Sequence, residues 1–104
     1  AMKSIEKTLA GPSAGDYFSA AQYFYQTNGD MTKALSWVNS AISNSPKGQD
    51  VPFWYLRLKS LIQAKSGDKK GAIATAKESL ALATKAGNGD YEKMNKDSIA
   101  EWSK

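Results

Sequence analysis

The 104-residue chain contains no cysteine and no histidine. These absences exclude a disulfide scaffold, zinc sites built from cysteine and histidine, thiol nucleophiles and any catalytic relay that needs an imidazole. No apolar run approaches the roughly 20 residues that a membrane-spanning helix requires, so we predict no membrane partner. Arginine is also scarce, because Arg57 is the only one among 14 basic residues.

The charge distribution argues against a nucleic-acid partner. The formal net charge is +4, and the excess lies in residues 57–104, because basic and acidic residues balance in residues 1–56. Trp54, Arg57 and Lys65 are the residues that could stack on and pair with single-stranded nucleic acid. Specific readers of nucleic acid rely on arginine, however, and scattered lysines are typical of a solvated helix face. We therefore predict that the chain does not bind nucleic acid.

Glycine and proline divide the chain into segments whose length and periodicity indicate helices. The segments are roughly 10–18 residues long, and none alternates apolar and polar residues as a half-buried strand would. Ser13 and Asp16 have the spacing of a capping box at the start of the first segment. Gly29 is predicted as the left-handed residue that ends this helix. A further short helix is predicted over residues 3–10.

Aspartates and glycines mark the ends of the later helices. Asp30, Asp68 and Asp90 are predicted N-caps, and Gly67 and Gly87 are predicted helix ends. Apolar or small residues at three- and four-residue spacing define the predicted buried faces. In chain order these faces comprise Met31, Ala34, Leu35, Val38, Ala41 and Ile42; Phe53, Leu56, Ser60 and Ala64; Ala72, Ile73, Ala76, Leu80 and Ala83; and Tyr91, Met94, Ser98, Ile99 and Trp102.

The segments form two helical hairpins that repeat along the chain. Aligning Gly29 with Gly67 corresponds to an offset of 38 residues and also places Gln22 on Ser60. The aligned positions carry small residues that permit close helix approach and larger residues that fill the space between helices. The offset therefore indicates an internal repeat of about 38 residues.

This pattern resembles the tetratricopeptide repeat, a helix-turn-helix unit of about 34 residues. Repeat one would span about residues 15–48 and repeat two about residues 53–86, with a capping helix over about residues 90–103. The resemblance implies an all-α, right-handed superhelix in a single domain, residues 1–104; a five-helix bundle is the alternative. The chain departs from the family in its longer repeat and at Gln22, where the family has a small residue.

A second resemblance concerns the C-terminal half. Residues 53–59 and 99–102 are similar to the C-terminal repeat regions of uncharacterised bacterial proteins in which a β-sandwich domain of unknown function comes first. This resemblance implies that the chain is the tail of an exported or periplasmic parent protein. If the chain is complete, a cytoplasmic location is expected.

The first resemblance also implies a binding surface for a protein or peptide partner. In the tetratricopeptide family, the first helix of each repeat lines a concave face where peptides bind. The positions of this chain that correspond to that face, with one from the capping helix, are Tyr23, Gln26, Trp54, Arg57, Leu61 and Asn95. Some family members grip a C-terminal carboxylate with lysine and asparagine, but this chain has Ser19 and Tyr23 at those positions, which disfavours that mode.

No catalytic residue, metal or cofactor is predicted. Asp97 and Glu101 share one helix face, but the nearby Lys93 and Lys104 favour two solvated charges. Residues 87–89 are rich in glycine but lack the Gly-Lys-Ser/Thr of a phosphate-binding loop. We therefore predict a non-catalytic protein-interaction module.

The alternative function is structural. The chain would then be a C-terminal tail that packs on another domain of a longer protein, or it would form a homodimer. In that case Trp54 and Tyr23 would complete a core instead of binding a partner.

Overall fold

The computed structural model describes residues 13–45 and 51–104, and these residues form α-helices without any strand. The all-α class is therefore confirmed. The predicted helix over residues 3–10 and most of the loop between the repeats lie outside the described residues. The helices are α1 (Ala14–Gln26), α2 (Met31–Ser43), α3 (Phe53–Lys65), α4 (Lys69–Ala86) and α5 (Gly89–Trp102).

Side-chain caps fix the starts of α1, α2 and α4 where the sequence predicts them. Ser13 Oγ accepts a hydrogen bond from Asp16 N at 3.3 Å, and the Asp16 carboxylate accepts one from Ser13 N at 3.1 Å. Asp30 accepts from Thr32 N at 2.9 Å, and Asp68 accepts from the backbone of α4. Each cap supplies an acceptor to a backbone N–H that has no partner within its own helix.

The predicted cap of α5 is wrong by two residues. Asn88, not Asp90, is the N-cap, because its side-chain oxygen accepts a hydrogen bond from Tyr91 N at 3.0 Å. Asp90 lies in the first turn, where its negative charge is favourable beside the positive end of the helix dipole. Gly87, just before this cap, adopts the predicted left-handed conformation with φ of 75°.

The turn of the first hairpin also differs from its prediction. Asn28, not Gly29, is left-handed, with φ of 56°, and its counterpart in the second hairpin is Gly67 with φ of 98°. Asparagine tolerates this conformation better than other residues with a side chain. Gly29 is needed for a different reason, because a Cβ atom there would overlap the ring of Phe24.

The backbone hydrogen bonds show that the first turn is one residue longer than the second. Gly29 N donates to Phe24 O at 2.8 Å, and the equivalent bond in the second hairpin joins Asp68 N to Gln63 O at 2.8 Å. The ends of α1 and α3 therefore match at an offset of 39 residues (67 − 28), whereas the N-caps Asp30 and Asp68 match at 38 (68 − 30).

The longer turn changes the register of α1. At an offset of 39 residues, Ala21 corresponds to Ser60, and both residues are fully buried. Gln22, which the sequence alignment places on Ser60, is exposed. The predicted alignment of Gln22 with Ser60 is therefore wrong, because the small buried residue of α1 is Ala21.

Helix α3 is the centre of the packing. Consecutive helices pack on one another, and α3 also contacts α1 and α5, so that it meets every other described helix. The predicted buried line of α3 includes Leu56 and Ser60, which are buried, but misses three further buried residues, Tyr55, Leu58 and Ile62. A helix with neighbours on several sides buries more than one face, and its sequence then lacks a clean amphipathic pattern.

The register of α1 predicts that two adjacent substitutions differ strongly in their effect on stability. Ala21→Leu is expected to lower the free energy of unfolding by about 1–3 kcal/mol, because the added atoms overpack a filled site. Gln22→Leu is expected to change it by less than about 0.5 kcal/mol, because this position is exposed. Urea unfolding followed by circular dichroism measures both, and the reverse order would contradict the assigned register.

Candidate binding groove

Three helices line an open groove, which we call the α3 groove. Its volume is ≈ 370 Å³, and α1, α3 and α5 each contribute to its wall. Aromatic and aliphatic side chains predominate, and none of the lining residues is acidic. The lining consists of Phe18 and Gln22 from α1, Trp54, Arg57, Leu58 and Leu61 from α3, and Tyr91 and Met94 from α5.

Three of the six predicted site residues meet in this groove. Trp54, Arg57 and Leu61 follow one another along one side of α3, and all three line the groove. The Trp54 side chain is 42% exposed, so it is not a core residue. The offset of 38 residues requires no shift within α3, and this is why the three residues predicted on this helix share one side of it.

The two predicted residues of α1 lie outside the groove. Neither Tyr23 nor Gln26 belongs to the groove lining, and Tyr23 is 64% exposed. The residues that α1 contributes, Phe18 and Gln22, are the counterparts of Arg57 and Leu61 at the offset of 39 residues. The extra residue between α1 and α2 was the signal that could have identified them.

Asn95 is not on the groove surface, so its predicted contact with a partner is wrong. Its side chain is fully buried where α5 meets α3 and α4. Asn95 Nδ2 donates to Ser79 Oγ at 2.9 Å, and Ser79 Oγ donates to the carbonyl oxygen of Phe53 at 2.8 Å. Buried amides are retained where such partners satisfy them, and this chain of hydrogen bonds joins three helices.

Arg57 connects the groove to this buried network. Its Nη1 atom donates to Ser98 Oγ at 2.7 Å, to Met94 O at 3.2 Å and to Asn95 Oδ1 at 3.4 Å. Burial lowers the pKa of the Arg57 guanidinium from its usual value, and the phenols of Tyr25 and Tyr91 act in the opposite direction. Arginine nevertheless stays charged in proteins, so Arg57 places a half-buried cation in the groove.

A second cation lies further along α3. Lys65 Nζ donates to the carbonyl oxygen of Tyr25 at 3.3 Å and to the side-chain oxygen of Asn28. The same ammonium lies 4.9 Å from the centre of the Tyr25 ring. Lys65 therefore fixes the end of α3 against the first hairpin through neutral partners and retains its net charge.

The two carboxylates that share a face of α5 lie in exposed ion pairs. Asp97 pairs with Lys93 at 2.9 Å and Glu101 with Lys104 at 3.5 Å, and all four side chains are exposed, as the sequence predicts. No cluster of potential metal ligands occurs among residues 13–45 and 51–104. The helices of these two ranges include none that is long and apolar enough to cross a bilayer.

Comparison of the chain with protein-family models, with curated proteins and with solved structures finds no match. The function is therefore inferred from the groove and its residues.

The buried amide generates a stability prediction. Asn95→Ala is expected to lower the free energy of unfolding by about 1–3 kcal/mol, because Ser79 and Arg57 lose a buried hydrogen-bond partner. The exposed neighbour Lys96 provides the control, and Lys96→Ala is expected to change stability by less than about 0.5 kcal/mol. Equal unfolding midpoints for the two variants in urea would show that the network does not hold α5.

Proposed function

We propose that the chain is a non-catalytic protein-interaction module that binds a segment of a partner protein in the α3 groove. The observation that carries this proposal is the convergence of Trp54, Arg57 and Tyr91 in one open groove. Tryptophan, tyrosine and arginine are the residues that most often dominate the energy of protein interfaces.

The Trp54 ring is preorganised for binding. It meets the Phe53 ring edge-on at 5.0 Å between centroids and the Tyr55 ring edge-on at 6.2 Å. Tyr55 is itself buried and stacks on Phe18 across the α1–α3 interface at 4.7 Å. A partner that covers the Trp54 ring gains apolar contact while little side-chain freedom is lost, and this favours binding.

We also propose that the two hairpins are tetratricopeptide-like repeats that stack in a right-handed superhelix. The match between Ala21 and Ser60 supports the repeat, because both are small residues buried at equivalent points of their hairpins. The groove lies on the first helix of each hairpin, which is where the resemblance implies a partner surface. No catalytic role or cofactor is included in this proposal.

A structural role is the second candidate function. Val51 and Leu82 take part in lining two further cavities, of ≈ 440 Å³ and ≈ 420 Å³, where α3 begins beside α4. Both cavities have largely apolar walls, and another domain or a second copy of the chain would be suited to cover them. Light scattering over a dilution series distinguishes this role, because a dimer that persists in high salt would favour it.

Selection from a display library of random twelve-residue peptides tests the binding proposal. We expect enrichment of groove-binding peptides, and Trp54→Ala is expected to weaken binding of a selected peptide at least tenfold, as for an interface anchor. Because Trp54 is 42% exposed, the urea midpoint is expected to change little. Fluorescence polarisation with a labelled peptide measures the affinity.

Tyr23→Ala is the matched control, because Tyr23 is a 64% exposed aromatic residue outside the groove. It is expected to leave the affinity unchanged. Failure to enrich any peptide, or equal losses for the Trp54 and Tyr23 variants, would contradict groove binding.

A further inference from the structure

The α3 groove has positive charge without any carboxylate to balance it. Arg57 lies in the groove wall, and Lys65 lies eight residues further along the same helix. Within residues 13–45 and 51–104, neither cation forms an ion pair, since the hydrogen bonds described above go to carbonyl, amide and hydroxyl oxygens. The groove lining also contains no aspartate or glutamate.

The guanidinium of Arg57 retains donors for a ligand. All three of its hydrogen bonds to α5 leave from Nη1, and within the described residues Nε and Nη2 make none. Adjacent N–H groups of a guanidinium form a planar fork that matches the two oxygens of a carboxylate. A half-buried cation without a counter-ion is costly, and an incoming carboxylate would offset part of that cost.

The spacing of the two cations sets the spacing of their ligands. Eight residues along an α-helix correspond to about 12 Å. An extended peptide advances about 3.3 Å per residue, so side chains roughly four residues apart would reach the two cations. Leu61 lies between the two cations along α3 and lines the groove, so it offers a surface for an apolar side chain.

We propose that an extended acidic segment of a partner protein binds in the groove and continues along α3, with one carboxylate on Arg57, a second on Lys65 beyond the groove lining and an apolar side chain on Leu61 between them. This inference rests on the proposed function and specifies the chemistry of the partner. Charge complementarity along α3 favours this occupant, because two cations without a carboxylate partner among the described residues lie on either side of Leu61.

The random-peptide selection provides the first test. The enriched peptides are expected to carry aspartate or glutamate pairs separated by three to five residues, with an apolar residue between them. Enriched peptides without acidic residues would overturn the acidic-segment inference while leaving the groove as a peptide site. A selection that enriches no peptide would overturn both proposals.

A matched pair of blocked peptides provides the second test. One has two aspartates four residues apart with leucine and phenylalanine between them, and the other has asparagine at both aspartate positions. The aspartate peptide is expected to bind at least tenfold more tightly at low salt, and the difference is expected to shrink as ionic strength rises. Equal affinities would overturn the inference.

Two lysine variants separate the effect of the Lys65 charge from that of the overall charge. Lys65→Gln is expected to weaken binding of the aspartate peptide about three- to fivefold, which is the scale of an exposed ion pair. Lys77 is exposed on α4, outside the helix that carries Arg57 and Lys65, so Lys77→Gln removes the same charge and is expected to leave the affinity unchanged. Equal effects of the two variants would overturn the assignment to Lys65.

Arg57→Lys keeps a cation in the groove and removes the planar fork. The variant is expected to remain folded by circular dichroism and to lose about tenfold in affinity for the aspartate peptide but less for the asparagine peptide. Equal losses for both peptides would contradict a carboxylate on Arg57. Tighter binding of a fifteen-residue oligothymidylate in competition would reassign the groove to single-stranded nucleic acid.

Discussion

The position of α5 depends on one buried side chain, the amide of Asn95. It is fully enclosed, and it is hydrogen-bonded to Ser79 on α4 and to Arg57 on α3. Ser79 extends the chain of bonds to the carbonyl oxygen of Phe53. A buried polar group is tolerated only when its partners are in place, so the network specifies one arrangement of the three helices. The wall that α5 gives to the groove, Tyr91 and Met94, depends on this arrangement.

Local signals predicted the all-α class and the starts of three helices. Ser13, Asp30 and Asp68 act as N-caps because short polar side chains accept hydrogen bonds from unpaired backbone N–H groups, and this chemistry needs only neighbouring residues. The turn of the first hairpin was harder to predict. Both Asn28 and Gly29 suit a left-handed conformation, and only the backbone shows that Asn28 adopts it while Gly29 accommodates the ring of Phe24.

The extra residue in the turn between α1 and α2 limited how much of the groove could be predicted from the sequence. The three residues predicted on α3, Trp54, Arg57 and Leu61, line one groove, and the turn between α3 and α4 has the shorter form. The same offset of 38 residues selected Tyr23 and Gln26 on α1. At the observed offset of 39 residues, the counterpart of Leu61 is Gln22, which lines the groove, and Tyr23 is one residue beyond it. The burial of Asn95 was not predicted, because sequence periodicity does not distinguish a buried amide with partners on two other helices from an exposed amide.

Arg57 connects this network to the proposed peptide site, because Nη1 donates to α5 while Nε and Nη2 form no hydrogen bond within residues 13–45 and 51–104. Nuclear magnetic resonance titration of the isotope-labelled chain with a selected acidic peptide tests this most directly. We expect chemical-shift changes concentrated at the Trp54 indole, the Arg57 guanidinium and the Met94 methyl group. Changes centred instead on Val51 and Leu82, with the Arg57 signals unmoved, would contradict the proposed peptide site.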